Sequence, residues 1–460
     1  MKDILRVPMF ALMLFCLAVI VFVTIYSLVA RHAKLGVSLE KFFVGILFFT
    51  ITGSSGITAM PFIKLHPNIL HNLKTTPPTV IGQLAIYGTM ILLLFPRLTK
   101  TTQKTVSLVI KWIQGDPCLC LFLLIMTVSG LWSQTPEKTF RAIGAMWLIT
   151  LVSIYVGKVY SWGEIYGLLR WLTGLLVLWT VVKTNPGGDG CWTGVLGHKN
   201  TFSFQMANTA SLWILYAFKD RKYRYLSLFI TLIALVALQK GCSGASRVLT
   251  VVLISLWSYL GLLKKLPVKW AFICFILFLV GSIGIGILVL NNLEAIIVDG
   301  LKKDMTLTGR TDFWPLIIDR INQTRPLFGY GKEGFWQFWR GLENPAYGIV
   351  VVKTGFVTPH SHNGFMEILC ELGWVGFLLF TLSFFNNIFR GINYLVKERF
   401  PESAFPLYLL TFILMTNLTE GGLFGVGTYW CWYIVLSVKL SLDRKPKDNQ
   451  QMMSEFSQGY

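Results

Sequence analysis

Apolar runs long enough to cross a bilayer as helices, roughly 20 residues each, recur along this chain with polar segments between them. They fall near 9–30, 42–63, 79–96, 117–133, 140–157, 163–182, 201–218, 223–239, 247–263, 268–290, 365–389, 403–418 and 424–440. Within them no strict alternation of apolar and polar residues marks a half-buried strand. The pattern predicts an all-α, polytopic transmembrane protein of 12 to 14 spans. Its organisation reads as an N-terminal transmembrane bundle over 1–290, a large polar loop over 291–364, C-terminal transmembrane helices over 365–445 and a disordered polar tail over 446–460.

Basic clusters assign the sides, because Lys and Arg flanking membrane spans collect on the cytoplasmic face. The clusters are Arg97/Lys100/Lys104/Lys111, Lys219/Arg221/Lys222/Arg224, Lys264/Lys265/Lys269, Arg390/Lys397/Arg399 and Lys439/Arg444/Lys445/Lys447. From Lys219 onward they occupy every second loop. The loops 133–141, 183–200, 240–247, 291–364 and 419–423 then share the opposite, outer face. Before residue 97 the parity does not close: alternation puts the N-terminus outside, Lys2 and Arg6 favour inside, and one early run is re-entrant or split. The 291–364 loop is not expected to be coil. Trp314, Phe328, Phe335, Trp336, Phe338 and Trp339 suit short interfacial helices lying against a bilayer, at least two of them between 309 and 342.

Composition agrees with a membrane protein: 54% of residues are hydrophobic and 14% charged, against about a quarter charged in a soluble domain. The net charge of +19 does not indicate nucleic-acid binding, since the basic residues flank spans and no aromatic RNA-binding signature accompanies them. They suit orientation, membrane lipids and a pyrophosphate-bearing substrate. The first apolar run is too long for the core of a cleaved signal peptide. Of the eight cysteines, Cys16, Cys118, Cys120, Cys274, Cys370 and Cys431 lie in or beside apolar runs, as small core residues do. Cys191 and Cys242 fall in two outer loops and are either a disulfide or two free thiols.

Several polar residues converge on the outer face. Arg247 begins a span, Arg310 sits in the long loop, His362 closes that loop, and His198, Lys199 and Asn200 open another span. Each has a bland alternative: Arg247 as a snorkelling anchor, Arg310 as the surface partner of Asp312, and His362 as a loop histidine bonded to backbone. His198 and Lys199 read equally as cap residues, and His360 reads as structural. Glu367 is either the carboxylate that orients His362 or a helix N-terminal acid. No histidine pair has H-E-x-x-H spacing and no phosphate loop is present, so neither a metal nor a cofactor is expected. Two arginines can grip a phosphate bidentately, and a neutral histidine can take a proton from a hydroxyl. Together they suit transfer from a diphosphate leaving group to an alcohol, for which a sugar on a polyprenyl diphosphate is the activated donor on the outer side.

These residues lie in pieces that resemble a known family. Trp132-Ser133-Gln134-Thr135-Pro136-Glu137-Lys138-Thr139, Gly197-His198-Lys199-Asn200, Ser246-Arg247, Thr308-Gly309-Arg310-Thr311-Asp312-Phe313-Trp314, Pro326-Leu327-Phe328-Gly329-Tyr330-Gly331, His362-Asn363-Gly364-Phe365-Met366-Glu367 and Glu371-Leu372-Gly373 occur in that order. The chain resembles the O-antigen ligase and polysaccharide polymerase superfamily of bacterial inner-membrane glycosyltransferases. The Gly-His-Lys-Asn form is most similar to exopolysaccharide polymerases. The resemblance implies a GT-C-type, metal-independent, inverting transferase with its site facing the periplasm. It further implies an undecaprenyl-diphosphate-linked glycan as donor and an acceptor glycan or lipid. Arg247 and Arg310 would hold the diphosphate and His362 would activate the acceptor hydroxyl, with a chain-length regulator protein as a candidate partner. A ligase and a lipid-linked glycan transporter are the competing readings. A transporter would carry ionisable residues at mid-span in paired broken helices, whereas here they gather at span ends and in the loop.

Overall fold

In the computed structural model the chain is described over residues 102–443, apart from short gaps and the long one at 274–309, together with scattered helical residues between 20 and 48. The sequence-predicted runs before residue 97, most of 268–290 and the tail from 446 lie outside the described residues. Two units are distinguished, and everything below concerns the second, which contains residues 106–444.

The described chain is built almost wholly from helices: α1 (Thr102–Gly115), α2 (Pro117–Val128), α3 (Pro136–Val159), α4 (Trp162–Val182), α5 (Lys199–Lys219), α6 (Arg224–Lys240), α7 (Gly244–Leu263), α8 (Arg310–Thr324), α9 (Gly364–Lys397), α10 (Phe405–Asn417) and α11 (Thr428–Leu442). A two-residue hairpin pairs β1 (Val350–Val351) with β2 (Phe356–Val357) antiparallel. Helices α3, α4, α7 and α9 are long and apolar enough to cross a membrane, and the bent pair Val106–Gly115 and Pro117–Leu131 makes a further candidate. This is a polytopic helical membrane protein. Among the described residues the helices from α2 onward, α8 apart, fall on the apolar runs, and α3, α4, α7 and α9 have the length and the side chains a bilayer accepts.

Helix α5 departs from the lipid-facing pattern. Its buried residues include Gln205, Asn208 and Thr209, and Asn208 Oδ1 accepts from Tyr408 Oη on α10 at 2.8 Å. It is enclosed by protein, which explains its lower apolarity. Helix α1 turns into α2 through 105° at Asp116-Pro117. One Asp116 oxygen caps α2 through Leu119 N–H. The other accepts from Ser383 Oγ, Asn387 Nδ2 and Ser437 Oγ at 2.7–2.8 Å, so a fully buried carboxylate joins the bend to α9 and α11 with its hydrogen bonds satisfied.

The polar loop carries a core of its own. Phe313, Ile317 and Ile321, spaced four apart on α8, pack with Tyr330, Phe335, Ile349, Val351 and Leu369. Among its described residues the loop contains one α-helix, α8, and a 3₁₀ stretch over Phe338–Glu343. Phe335 lies outside that stretch and is fully buried, whereas Phe338 and Trp339 are exposed. Phe335, Phe338 and Trp339, whose spacing would put them on one face of a helix, therefore do not share one: Phe335 packs in the loop's core.

Segment Pro326–Gly331 threads into a break in α9. Gly373 leaves the helical conformation at φ 65°. Trp374 N–H and Val375 N–H donate to Pro326 and Leu327 carbonyls, while Tyr330 N–H and Gly331 N–H donate to Cys370 and Glu371 carbonyls. A Cβ on Gly373 would sit 2.4 Å from the Leu327 backbone, and one on Gly329 2.6 Å from Gly373 N. The two glycine motifs are the two halves of one backbone clasp. The Trp132–Thr139 segment holds the other side of the loop: Arg325 donates to Trp132 O, Trp132 Nε1 to Phe328 O, Gln337 to Thr135 Oγ1 and Thr139 Oγ1 to Lys332 O.

Candidate functional site

The segment His360–Gly364 is shaped by its own residues. Asn363 caps α9, its Oδ1 accepting from Phe365 N–H and Met366 N–H. Ser361 Oγ braces it by donating to Asn363 O and accepting Asn363 N–H. Trp314 Nε1 of α8 donates to Ser361 O at 2.8 Å, which sets α8, and so Arg310 at its start, beside the histidines. His362 itself has φ 52°, in the left-handed region that costs a non-glycine residue energy. The surrounding hydrogen bonds hold it there.

Glu420, in the loop between α10 and α11, gathers the site. Its Oε1 accepts from Asn200 Nδ2 at 2.6 Å and from Arg310 Nη2 at 3.2 Å. Its Oε2 lies 3.3 Å from His362 Nδ1. Side-chain exposure is 14% for Glu420, 18% for Arg310 and 21% for His362, so the pairs are mostly shielded yet open to an incoming ligand. An ionised carboxylate only accepts, so in the neutral form of the ring Nδ1 carries the proton and the lone pair lies on Nε2. Burial raises the Glu420 pKa, but hydrogen bonds from His362 and Asn200 and the charges of His362 and Arg310 outweigh it and hold the carboxyl below its usual range. Burial pulls the Arg310 guanidinium down, opposed by Glu420; a guanidinium stays charged throughout.

His360 Nδ1 accepts His362 N–H at 3.1 Å, and the two rings lie 3.9 Å apart. Burial, then the neighbouring His362, lowers the His360 pKa to about 4. His360 is thus a neutral structural acceptor, as its sequence context suggested. His360, His362 and Glu420 offer donor atoms within 4.8 Å of one another, a set of the kind that binds a divalent cation. Arg310 already brings to Glu420 the positive charge that such a cation would bring.

The remaining sequence-predicted residues divide. Asn200 is in the cluster. His198 stands exposed as the N-cap of α5, close enough for its charge to act on His360; Lys199 follows it, half-buried. Glu367 does not pair with His362: it accepts from Ser361 N–H and Trp336 Nε1, fixing the loop below the ring. Arg247 is exposed on the first turn of α7 and has no hydrogen bond or ion pair among the described residues. It is tied to the site region indirectly: Cys242 is disulfide-bonded to Cys191 and Trp192 N–H donates to Lys240 O, which joins the turn before α7 to the segment leading to His198. Two residues escaped the sequence reading. Glu420 is the only acid of the outer loop 419–423, and that isolation was its one signal. Lys332, buried between Glu371 Oε2 and Phe424 O at 2.8 Å each, carried none beyond its place after Gly331.

An arginine, a histidine and a carboxylate are thus drawn together by loops of a helical membrane bundle. Comparison with known proteins gives two likenesses. Residues 226–381 match the family described as O-antigen ligase, a stretch running from α6 through the clasp in α9. The chain is also 27% identical over 165 residues to the exopolysaccharide production protein ExoQ of Rhizobium meliloti (strain 1021), covering 33% of this chain and 34% of that one. The chain thus spans about a third of the length of the curated relative that it matches. The similarity to the O-antigen ligase and polymerase superfamily that the motifs carry is present in both comparisons.

Proposed function

We propose that this protein is a glycosyltransferase that moves a glycan from an undecaprenyl-diphosphate lipid to an acceptor hydroxyl at the periplasmic face of the bacterial inner membrane, polymerising repeat units of a surface polysaccharide. The observation that carries the reading is the Arg310–Glu420–His362 constellation at the outer loops of a chain similar to O-antigen ligases. His362 Nε2 takes the proton of the acceptor hydroxyl as its oxygen attacks the anomeric carbon. The bond from that carbon to the diphosphate oxygen breaks, and undecaprenyl diphosphate leaves with the bonding pair. Arg310 stabilises the charge that develops there, with exposed Arg247 as a second grip on the lipid diphosphate. The domain division at 291–364 fits this reading, the loop supplying Arg310 and His362. The ExoQ similarity favours polymerase. The O-antigen ligase match supports a second reading, transfer of finished glycan to lipid A core or protein.

Purified protein given a lipid-diphosphate glycan should release undecaprenyl diphosphate; a donor left intact would mean transport. His362→Ala should leave donor binding nearly unchanged and lower turnover ~10²–10⁴-fold, the usual worth of general-base catalysis. Arg310→Ala should weaken donor binding as well, with Arg310→Lys recovering only part. Activity should persist in chelator; restoration by a divalent cation would instead assign His360, His362 and Glu420 to a metal. Surface glycan from a deletion strain separates the two acceptor readings: single repeat units mean polymerase lost, long chains held on carrier lipid mean ligase lost.

A further inference from the structure

We infer that Glu420 is a positioning residue that occupies Arg310 in the empty site and is displaced from it by the substrate diphosphate, which leaves the carboxylate to His362. The inference rests on the functional reading above. Three polar side chains from three separate elements, Asn200 of α5, Arg310 of α8 and His362 before α9, meet on this one carboxylate. Oε1 serves Asn200 and Arg310, and Oε2 serves His362. The shorter contact of Oε1 is to Asn200, so the carboxylate stays anchored when Arg310 departs. Glu420 Oε1 therefore stands in, through a single 3.2 Å contact, for the phosphate oxygens that a guanidinium fork grips in pairs. A dianionic diphosphate outcompetes it, and the partial negative charge on Glu420 that Arg310 had neutralised then acts on His362 alone. The Nδ1–H···carboxylate contact strengthens and Nε2 becomes the better base. Donor binding and base activation are coupled through the one residue.

The supports of Glu420 suit such a part. Gly421 follows it, and a Cβ there would meet Glu367 Cγ at 3.4 Å and His360 Nδ1 at 3.5 Å, so the backbone passes close under the histidines. Gly422 N–H donates to Asn417 Oδ1, and the buried Lys332 ammonium holds Phe424 O. The loop is pinned on both sides of Glu420 while the Arg310 contact is not.

The test compares the full-length protein with its Glu420→Gln variant, which keeps shape and hydrogen-bonding capacity but loses the charge. Binding of inorganic pyrophosphate is measured by calorimetry in detergent, and turnover by release of undecaprenyl diphosphate. Pyrophosphate should bind Glu420→Gln about tenfold more tightly than wild type, since Arg310 no longer has to be drawn from an ion pair. Turnover should fall, so that KM and kcat drop together. A purely structural role would weaken binding and turnover alike. Glu420→Asp should return affinity toward wild type and recover part of the turnover, and in an Arg310→Ala background Glu420→Gln should change affinity by less than twofold. Unchanged or weaker pyrophosphate binding by Glu420→Gln, with wild type binding through Arg310, overturns the inference alone. Should wild type and Arg310→Ala bind pyrophosphate equally or not at all, the functional reading falls and the inference with it.

Discussion

At the scale of single residues the site depends on His360 being uncharged. Its nitrogen accepts His362 N–H, so a proton on Nδ1 would break the bond that holds His362 at positive φ. Its pKa is lowered to about 4 in the folded protein, below the ~6.5 of an unfolded chain. Between these values the unfolded chain binds the proton and the folded one does not. The stabilisation is therefore complete above about pH 6.5 and is lost as pH falls toward about 4. Thermal unfolding followed from pH 7.5 to 4.5 should show a falling midpoint, and His360→Asn should flatten that slope; an equal slope in both would remove His360 as its cause. Motifs drew attention to Arg310 and His362, and both side chains reach Glu420. Glu420 drew none, because its partners His362 and Arg310 lie 58 and 110 residues away and being the lone acid of 419–423 does not reveal that they meet there. Glu367 misled for the opposite reason: it is near His362 in sequence and on the same helix end, but its carboxylate turns to Ser361 and Trp336.

At the scale of elements the clasp between Pro326–Gly331 and the break in α9 fixes the loop to the bundle. Gly373→Ala would place a methyl 2.4 Å from the Leu327 backbone at a φ of 65°. Left-handed strain alone costs ~1–3 kcal/mol, and the clash adds to it, so the loop should detach: proteolysis between 326 and 350 should become fast while α3 and α4 stay protected. Resistance equal to wild type would count against the clasp. Among the described helices, α3, α4, α7 and α9 could be read from apolar length alone, because a bilayer imposes it. The α1–α2 bend needed knowledge of where Asp116 finds its donors, 267 to 321 residues away. The small hairpin at Val350–Val357 is too short for any period to show.

At the scale of the molecule, the contacts join the five loops assigned to one face. Loop 133–141 holds 325–340, the segment before α5 is bonded to the turn before α7, and Asn200, Arg310, His362 and Glu420 meet. The Cys191–Cys242 disulfide closes that set. Neither thiol should take up an alkylating label without reductant, and both should after reduction; Cys242→Ser should cost about 2–4 kcal/mol, read as a lower unfolding midpoint. Membrane-impermeant labelling of single cysteines at 134, 343 and 421 should occur from one side and at 222 from the other. Labelling of 421 with 222 would break the shared face.

The clasp also has a consequence for how the protein is made. Residues 326–331 cannot complete their hydrogen bonds until 370–375 exist, and those lie within a helix that enters the bilayer afterwards. Translation delivers the loop before its anchor has been synthesised. The loop core around Phe313 and Phe335 therefore matures only once α9 is seated, and a chain stalled before residue 370 should expose a protease-sensitive loop that the finished chain hides. The two halves of the clasp, 326–331 and 370–375, can therefore close only in a chain that already includes α9.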